Sequence, residues 1–198
     1  MKIAAVHTLI GCGPYATSRH WRQIRREIHD AVRSCEWPPG SGSFTIYPQS
    51  GKKRGEGNGV KPIRDRFVAD LRRRGWVIEG PSQNRLGRFD AVLPGPKGPV
   101  AVEWETSDIA SSHHWMNKLA MLLASESIAA GILVGPSRAM CPYLAGRIGN
   151  IEQLEPYFAI WRSFPCRQGV LEVIVVEHDA TSEDVPRIPR RGVGRPLG

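Results

Sequence analysis

The chain has 198 residues, enough to bury a core without a disulfide or metal staple. Its 41% hydrophobic and 23% charged residues mark a globular domain and exclude a disordered or fibrous chain. The 27 Lys and Arg against 19 Asp and Glu leave a net charge of +8, which excludes an acidic solvating protein and favours a polyanionic partner, nucleic acid first.

Residues 2–10 (KIAAVHTLI) are apolar and β-branched and predict a strand. Residues 17–35 put Trp21, Ile24, Ile28, Ala31 and Val32 at helical spacing, with Thr17 or Ser18 as cap. Arg19, Arg22, Arg25, Arg26 and Arg33 cover the rest of that helix. They are read as a solvated face, because Glu27 and Asp30 dilute their charge. Pro38, Pro39, Gly40 and Gly42 end it, and FTIY (44–47) is a short extended piece. Residues 49–59 (QSGKKRGEGNG) are a Gly-rich loop with Lys52, Lys53 and Arg54, expected to be mobile on its own. It lacks the G-x-x-x-x-G-K-[ST] pattern of a nucleotide-binding loop.

Residues 60–74 predict a helix with Pro62 in its first turn and a stripe of Ile63, Phe67, Val68 and Leu71. Gly75 stops it, and WVIEG (76–80) reads as a strand. A hairpin over 88–106, a helix over 109–125 and a buried-type strand over 128–135 follow. Residues 138–146 and 151–163 read as helical, and 169–178 as a strand. From Asp179 the apolar period ends. One folded domain is therefore assigned to residues 1–178, and 179–198 to a basic, disordered tail.

Cys12, Cys35, Cys141 and Cys166 form no C-x-x-C pair, which argues against a zinc site and for reduced thiols in a cytoplasm. The apolar run at the N-terminus has the length of a strand and lacks a cleavage site, so it is read as structure. No stretch approaches the roughly 18 apolar residues of a membrane-spanning helix.

The hairpin is the informative segment. A register symmetric about the Pro96–Lys97 bond opposes Asp90 to Glu103. The two-residue period then puts Glu105 on the same face. Phe89, Ala91, Leu93, Val100, Val102 and Trp104 take the other face, as core. Three acids concentrated at one spot of a basic chain repel one another, and a divalent cation offsets that cost. The alternative is that these acids face solvent or pair with Arg88 or Lys118.

These residues, with their surroundings, resemble the PD-(D/E)xK nucleases. More narrowly, they resemble the BamHI/BglII-like type II restriction endonucleases. The matching stretches are GNGVKPIRDRFVADLRRRGW (57–76), GRFDAVL (87–93), VAVEWETSDIASSHHWMNKL (100–119), AGILVGPSR (130–138) and RIGNIEQLEPYFAIW (147–161). The resemblance implies an α/β fold, with a restriction-endonuclease-like core whose central mixed β-sheet is flanked by helices. It implies Mg²⁺ as cofactor, held by Asp90, Glu103 and the backbone carbonyl of Trp104, with Glu105 as a third catalytic residue. Glu105 stands where most of the wider superfamily has Lys, which leaves several roles open to it: positioning water, accepting its proton or binding a second metal. Asp65 or Glu79 is implied as a further acid.

The implied partner is double-stranded DNA, cut at a short palindrome by a homodimer. DNA contacts are expected from Asp108, Ser111, Ser112, His113, His114, Asn117 and Lys118 on the first turns of helix 109–125, and from Ser137 and Arg138 in the loop after strand 128–135. Arg138 is the leading base reader, since Arg most often reads guanine. Helix capping by the serines, a salt bridge of Arg138 and a Lys118–Glu105 pair are the competing readings. Another nuclease of the same core, or a DNA-binding protein that has lost cleavage, is the competing function.

Overall fold

The alternating and continuous apolar runs assemble into one sheet in the computed structural model, which describes residues 1–53, 55–81, 88–105 and 107–190. In chain order the elements are β1 (Lys2–Cys12), α1 (Gly13–Ala16), α2 (Arg19–Arg33), β2 (Thr45–Ile46), α3 (Lys61–Arg73), β3 (Val77–Pro81), β4 (Arg88–Leu93), β5 (Val100–Trp104), α4 (Ile109–Ala124), β6 (Ala130–Pro136), α5 (Phe158–Arg162), β7 (Gly169–Glu177) and β8 (Ala180–Thr181). Six strands form the main sheet in the order β1-β7-β6-β5-β4-β3. The pairs β5–β6 and β6–β7 are parallel, while β3–β4, β4–β5 and β1–β7 are antiparallel, so the sheet is mixed. Helix α4 is the crossover that a parallel β5–β6 pair requires.

Helices cover both faces. Ile28 and Val32 of α2 and Phe67 and Leu71 of α3 pack with Val100, Val102, Ile132 and Ile174. Met116, Leu119 and Leu123 of α4 and Trp161 of α5 pack with Ala101, Leu133, Leu171 and Val173. The helical stripe expected on α2 is buried in full, and Ser18 caps that helix by accepting from the Trp21 N–H at 3.0 Å. Among the described residues no helix is long and apolar enough to cross a membrane.

Four expectations are corrected. The face of the hairpin opposite the core was expected to be polar, yet Val92 and Ala101 on it are buried under α4. Phe89 also lies on the α4 side and not with Ala91 and Val102, because β4 leaves its ladder with β5 after Ala91. Residues 138–146 and 151–163 are not continuous helices. They hold 3-10 turns at Cys141–Tyr143, Ile151–Gln153 and Glu155–Tyr157, and only then α5. Pro142 and Pro156 sit in those turns, and Gly146 and Gly149 follow the first, which shortens helical runs.

The fourth correction concerns the tail. Residues 179–190 are packed: β8 pairs with β2 in parallel, Ile188 is fully buried, and the indole N–H of Trp37 donates to the Pro186 carbonyl at 2.6 Å. Isolated apolar side chains without a period were enough, because a groove between other segments receives them. Residues 191–198, also assigned to the tail, lie outside the described residues.

Candidate active site

Asp90 and Glu103 sit where β4 and β5 part. The ladder runs Leu93↔Val100, Val92↔Ala101, Ala91↔Val102, the register expected from the turn, and stops one step before the two acids. Their carboxylates replace the missing ladder bonds. The Asp90 N–H donates to Glu103 Oε2 at 3.2 Å, and the Trp104 N–H donates to Asp90 Oδ2 at 2.9 Å. Both side chains are buried, at 7% and 8% exposure.

Like charges this close in a dry site disfavour joint ionisation. Arg64 of α3 answers on Asp90: its Nε donates to Oδ1 at 2.7 Å, and Nη2 lies 2.5 Å from the same oxygen. The same guanidinium reaches Asp65 at 3.4 Å and Glu79 at 3.8 Å. Those two acids therefore gather around the arginine. On Glu103, burial and then the charge of Asp90 push the carboxyl up to about 9, against weaker opposing pulls from the Asp90 N–H, Lys118 and Arg64.

Lys118 is buried beneath this pair. Its Nζ lies 4.0 Å from the Phe89 ring centre and 4.2 Å from that of Trp115, and has no hydrogen-bond acceptor among the described residues. Burial lowers its pKa, and the Glu103 carboxylate pulls it back up.

Glu105 keeps to the face of Glu103, beside Gly135, two residues after the Leu133 that pairs with Glu103. It lies past the end of β5, where its N–H donates to the Val134 carbonyl at 2.7 Å. Its Oε2 accepts from Ser112 Oγ at 2.8 Å, and its Oε1 accepts from the Ser107 N–H at 2.6 Å.

Hard cations take oxygen donors, and Mg²⁺ is commonly held by one or two carboxylates with waters and phosphate oxygens. Asp90 and Glu103 fit that requirement: two buried carboxylates side by side, of which Arg64 is bonded to Asp90. Among the described residues no three His, Cys, Asp or Glu side chains converge to hold an ion.

The residues expected to touch DNA divide into two groups. Ser112, Lys118 and Ser137 are buried, Ser137 donating to Glu177 Oε2 at 2.9 Å. Burial takes these three off the protein surface. Asp108, Ser111, His113, His114, Asn117 and Arg138 are at least partly accessible. Asp108 caps α4 by accepting from the Ser111 N–H at 3.1 Å. His113 packs on Tyr157 and Trp161, with ring centres 4.5 and 5.6 Å away, and His114 packs edge-on to Trp115 at 5.4 Å. Asn117 Oδ1 accepts from the Trp161 indole N–H at 2.8 Å. The Arg138 N–H donates to the Glu152 carboxylate at 2.9 and 3.0 Å, while its side chain is exposed. Thr106, which precedes this segment, lies outside the described residues.

The family model "Restriction endonuclease BamHI" matches residues 1–195. The chain belongs to the BamHI restriction endonuclease family. A type II restriction enzyme, OkrAI of Oceanobacter kriegii, is 38% identical to this BamHI-family chain over 201 residues, covering all of both proteins. The type II restriction enzyme BamHI of Bacillus amyloliquefaciens is 29% identical, over 87% of this chain and 82% of that one. In structure, the restriction endonuclease BglII bound to a DNA 16-mer superimposes with a TM-score of 0.64 at 12% identity, over 95% of this chain and 88% of that one. The likeness to BglII establishes the fold.

For this BamHI-family chain, sequence reasoning missed Arg64. The available signal was its place on α3: it precedes Phe67 and Val68 by three and four residues, at the edge of the buried stripe. A cation there is drawn inward, toward whatever acid the sheet presents.

Proposed function

We propose that the chain is a Mg²⁺-dependent homodimeric endonuclease that hydrolyses both strands of duplex DNA at a short palindrome. The observation that carries this reading is the buried Asp90–Glu103 pair at the splayed end of the hairpin, with Glu103 bonded to the Asp90 N–H at 3.2 Å. Asp90 and Glu103, with the Trp104 carbonyl, would hold the cation. When bound, it neutralises charge on the scissile phosphate and lowers the pKa of a water. Arg64 holds Asp90 in place from the α3 side, and Lys118 offsets charge beneath Glu103. Ser112 and the Ser107 N–H fix the Glu105 carboxylate at the start of α4, where it can orient water or take its proton.

Two-fold symmetric proteins read palindromes with one subunit per strand. Met121 of α4, Ile160 of α5 and Tyr157 in the turn before α5 are exposed apolar side chains on neighbouring elements, which favours a second copy as partner. Asp108, Ser111, His113, His114, Asn117 and Arg138 are the accessible candidates for DNA contact, with the buried Ser112, Lys118 and Ser137 positioning their neighbours. The reduced state of the four cysteines suits a cytoplasmic enzyme.

The test is a digest of a sequenced plasmid with Mg²⁺ and with EDTA, followed by sequencing of the fragment ends. Discrete fragments sharing one palindrome in Mg²⁺, and none in EDTA, are expected. Random nicking, or cutting in EDTA, sinks the reading.

A further inference from the structure

The Gly-rich loop is not used by the carboxylate site, yet it is docked. The Gly51 N–H donates to the Pro142 carbonyl at 2.9 Å, the Asn58 N–H donates to the Tyr143 carbonyl at 2.8 Å, and the Ala145 N–H donates back to the Asn58 carbonyl at 2.7 Å. A side chain at Gly51 has no room, since its Cβ would fall 1.6 Å from the Leu144 carbonyl oxygen. The fully buried Asn58 side chain completes the clasp. Its Nδ2 donates to the carbonyls of Tyr47 and Tyr143 at 2.8 and 3.0 Å, and its Oδ1 accepts from the Ile188 N–H at 3.2 Å. One buried amide thus ties the Gly-rich loop, the loop after β6 and the 186–190 segment together.

The clasp fixes where Lys52 stands. Between the two loops lies a cleft of about 430 Å³, lined by Lys52, Arg138 and Arg147 and by no acidic residue. All three cations are exposed, and none makes an ion pair among the described residues. Three like charges around one cleft repel, and a polyanion removes that repulsion. The cleft also lies at the right end of the sheet. Trp104 ends β5 opposite Val134 of β6, and Arg138 follows two residues after β6 ends. Glu103 and Arg138 therefore share the same end of two parallel neighbours.

We propose that Lys52 and Arg147 are DNA-backbone contacts: they form a seat for duplex phosphates beside the cutting site and next to the base-reading Arg138, held in shape by Asn58. The inference rests on the endonuclease reading above and adds the second wall of the DNA site. Lys52 and Arg147 bind phosphate in any sequence, whereas Arg138 reads a base.

The experiment measures affinity by fluorescence anisotropy in EDTA, against salt, for a short duplex of arbitrary sequence and for one carrying the mapped cut site. Lys52→Ala and Arg147→Ala should each lower the slope of log K against log salt by about 0.9, equally for both duplexes. The sequence cut on plasmid should not change, and thermal melting should match the unsubstituted protein because both side chains are exposed. Arg138→Ala should instead lose roughly tenfold or more in discrimination at one base pair. Unchanged slopes in both single variants, or a changed cut sequence, overturn the inference and leave the endonuclease reading standing. If the unsubstituted protein binds neither duplex, both fall.

Discussion

Glu103 and Glu172 make an instructive contrast. Both are buried glutamates on strands that flank β6, Glu103 opposite Leu133 and Glu172 opposite Ile132. They point to opposite faces of the sheet and meet opposite chemistry. Glu172 is answered: Arg25 of α2 lies 3.0 Å from its Oε1, and Thr8 Oγ1 donates to it at 2.8 Å. Glu103 meets another acid, Asp90, in the same burial. A buried acid with a matched cation and hydroxyl is a structural element. One whose neighbour is a second acid carries a cost that Arg64 on Asp90 relieves only in part, and such sites concentrate function. A residue's type and burial do not distinguish the two; the partner does.

The largest expected effect breaks the pair. Asp90→Asn or Glu103→Gln keeps shape and removes charge, and either should abolish cleavage in Mg²⁺ assays while DNA binding in EDTA survives or tightens. Glu172→Gln should leave the cleavage rate unchanged. A Glu172→Gln variant that loses cleavage while still folded, or an Asp90→Asn variant that cuts at full rate, would overturn the contrast.

Next comes pH. Glu103 has a folded pKa of about 9 against an ordinary 4.5. Its contribution to stability is therefore present below the ordinary value and is lost as pH rises through about 9. In EDTA, the unsubstituted protein should lose melting temperature relative to Glu103→Gln as pH climbs through that window. Parallel curves for the two proteins would show that neither burial nor Asp90 raises the Glu103 carboxyl.

Smaller again is the stability cost of Glu172→Gln, about 2 kcal/mol, because it weakens charge-assisted bonds to Arg25 and Thr8. Urea denaturation measures it. A cost near zero would make Glu172 dispensable to the fold as well.

The smallest effect belongs to Ser112→Ala. It removes the hydroxyl that aims Glu105 and should slow single-turnover cleavage about tenfold, or ~1.4 kcal/mol, with binding unchanged. An unchanged rate would mean that the Ser107 N–H suffices.

Local pattern determined much of this protein by itself. The helical stripes of α2 and α3, the all-apolar run of β6 and the Pro-Gly turn of the hairpin each depend on nearest neighbours along the chain. The turn fixes the register, so the meeting of Asp90 with Glu103 was legible before any fold was known. Tertiary structure decided the rest. A two-residue period holds only while the ladder lasts, so Phe89 before the splay took an unexpected side. Arg64 and Lys118 became neighbours of the acids because α3 and α4 cover opposite faces of one sheet. No spacing along the chain encodes that approach. The Asn58 side chain joins the docking of 186–190 to that of the Gly-rich loop, from more than 100 residues before Ile188 in sequence. A single buried amide with three distant backbone partners leaves no periodic trace, so only the folded chain reveals it.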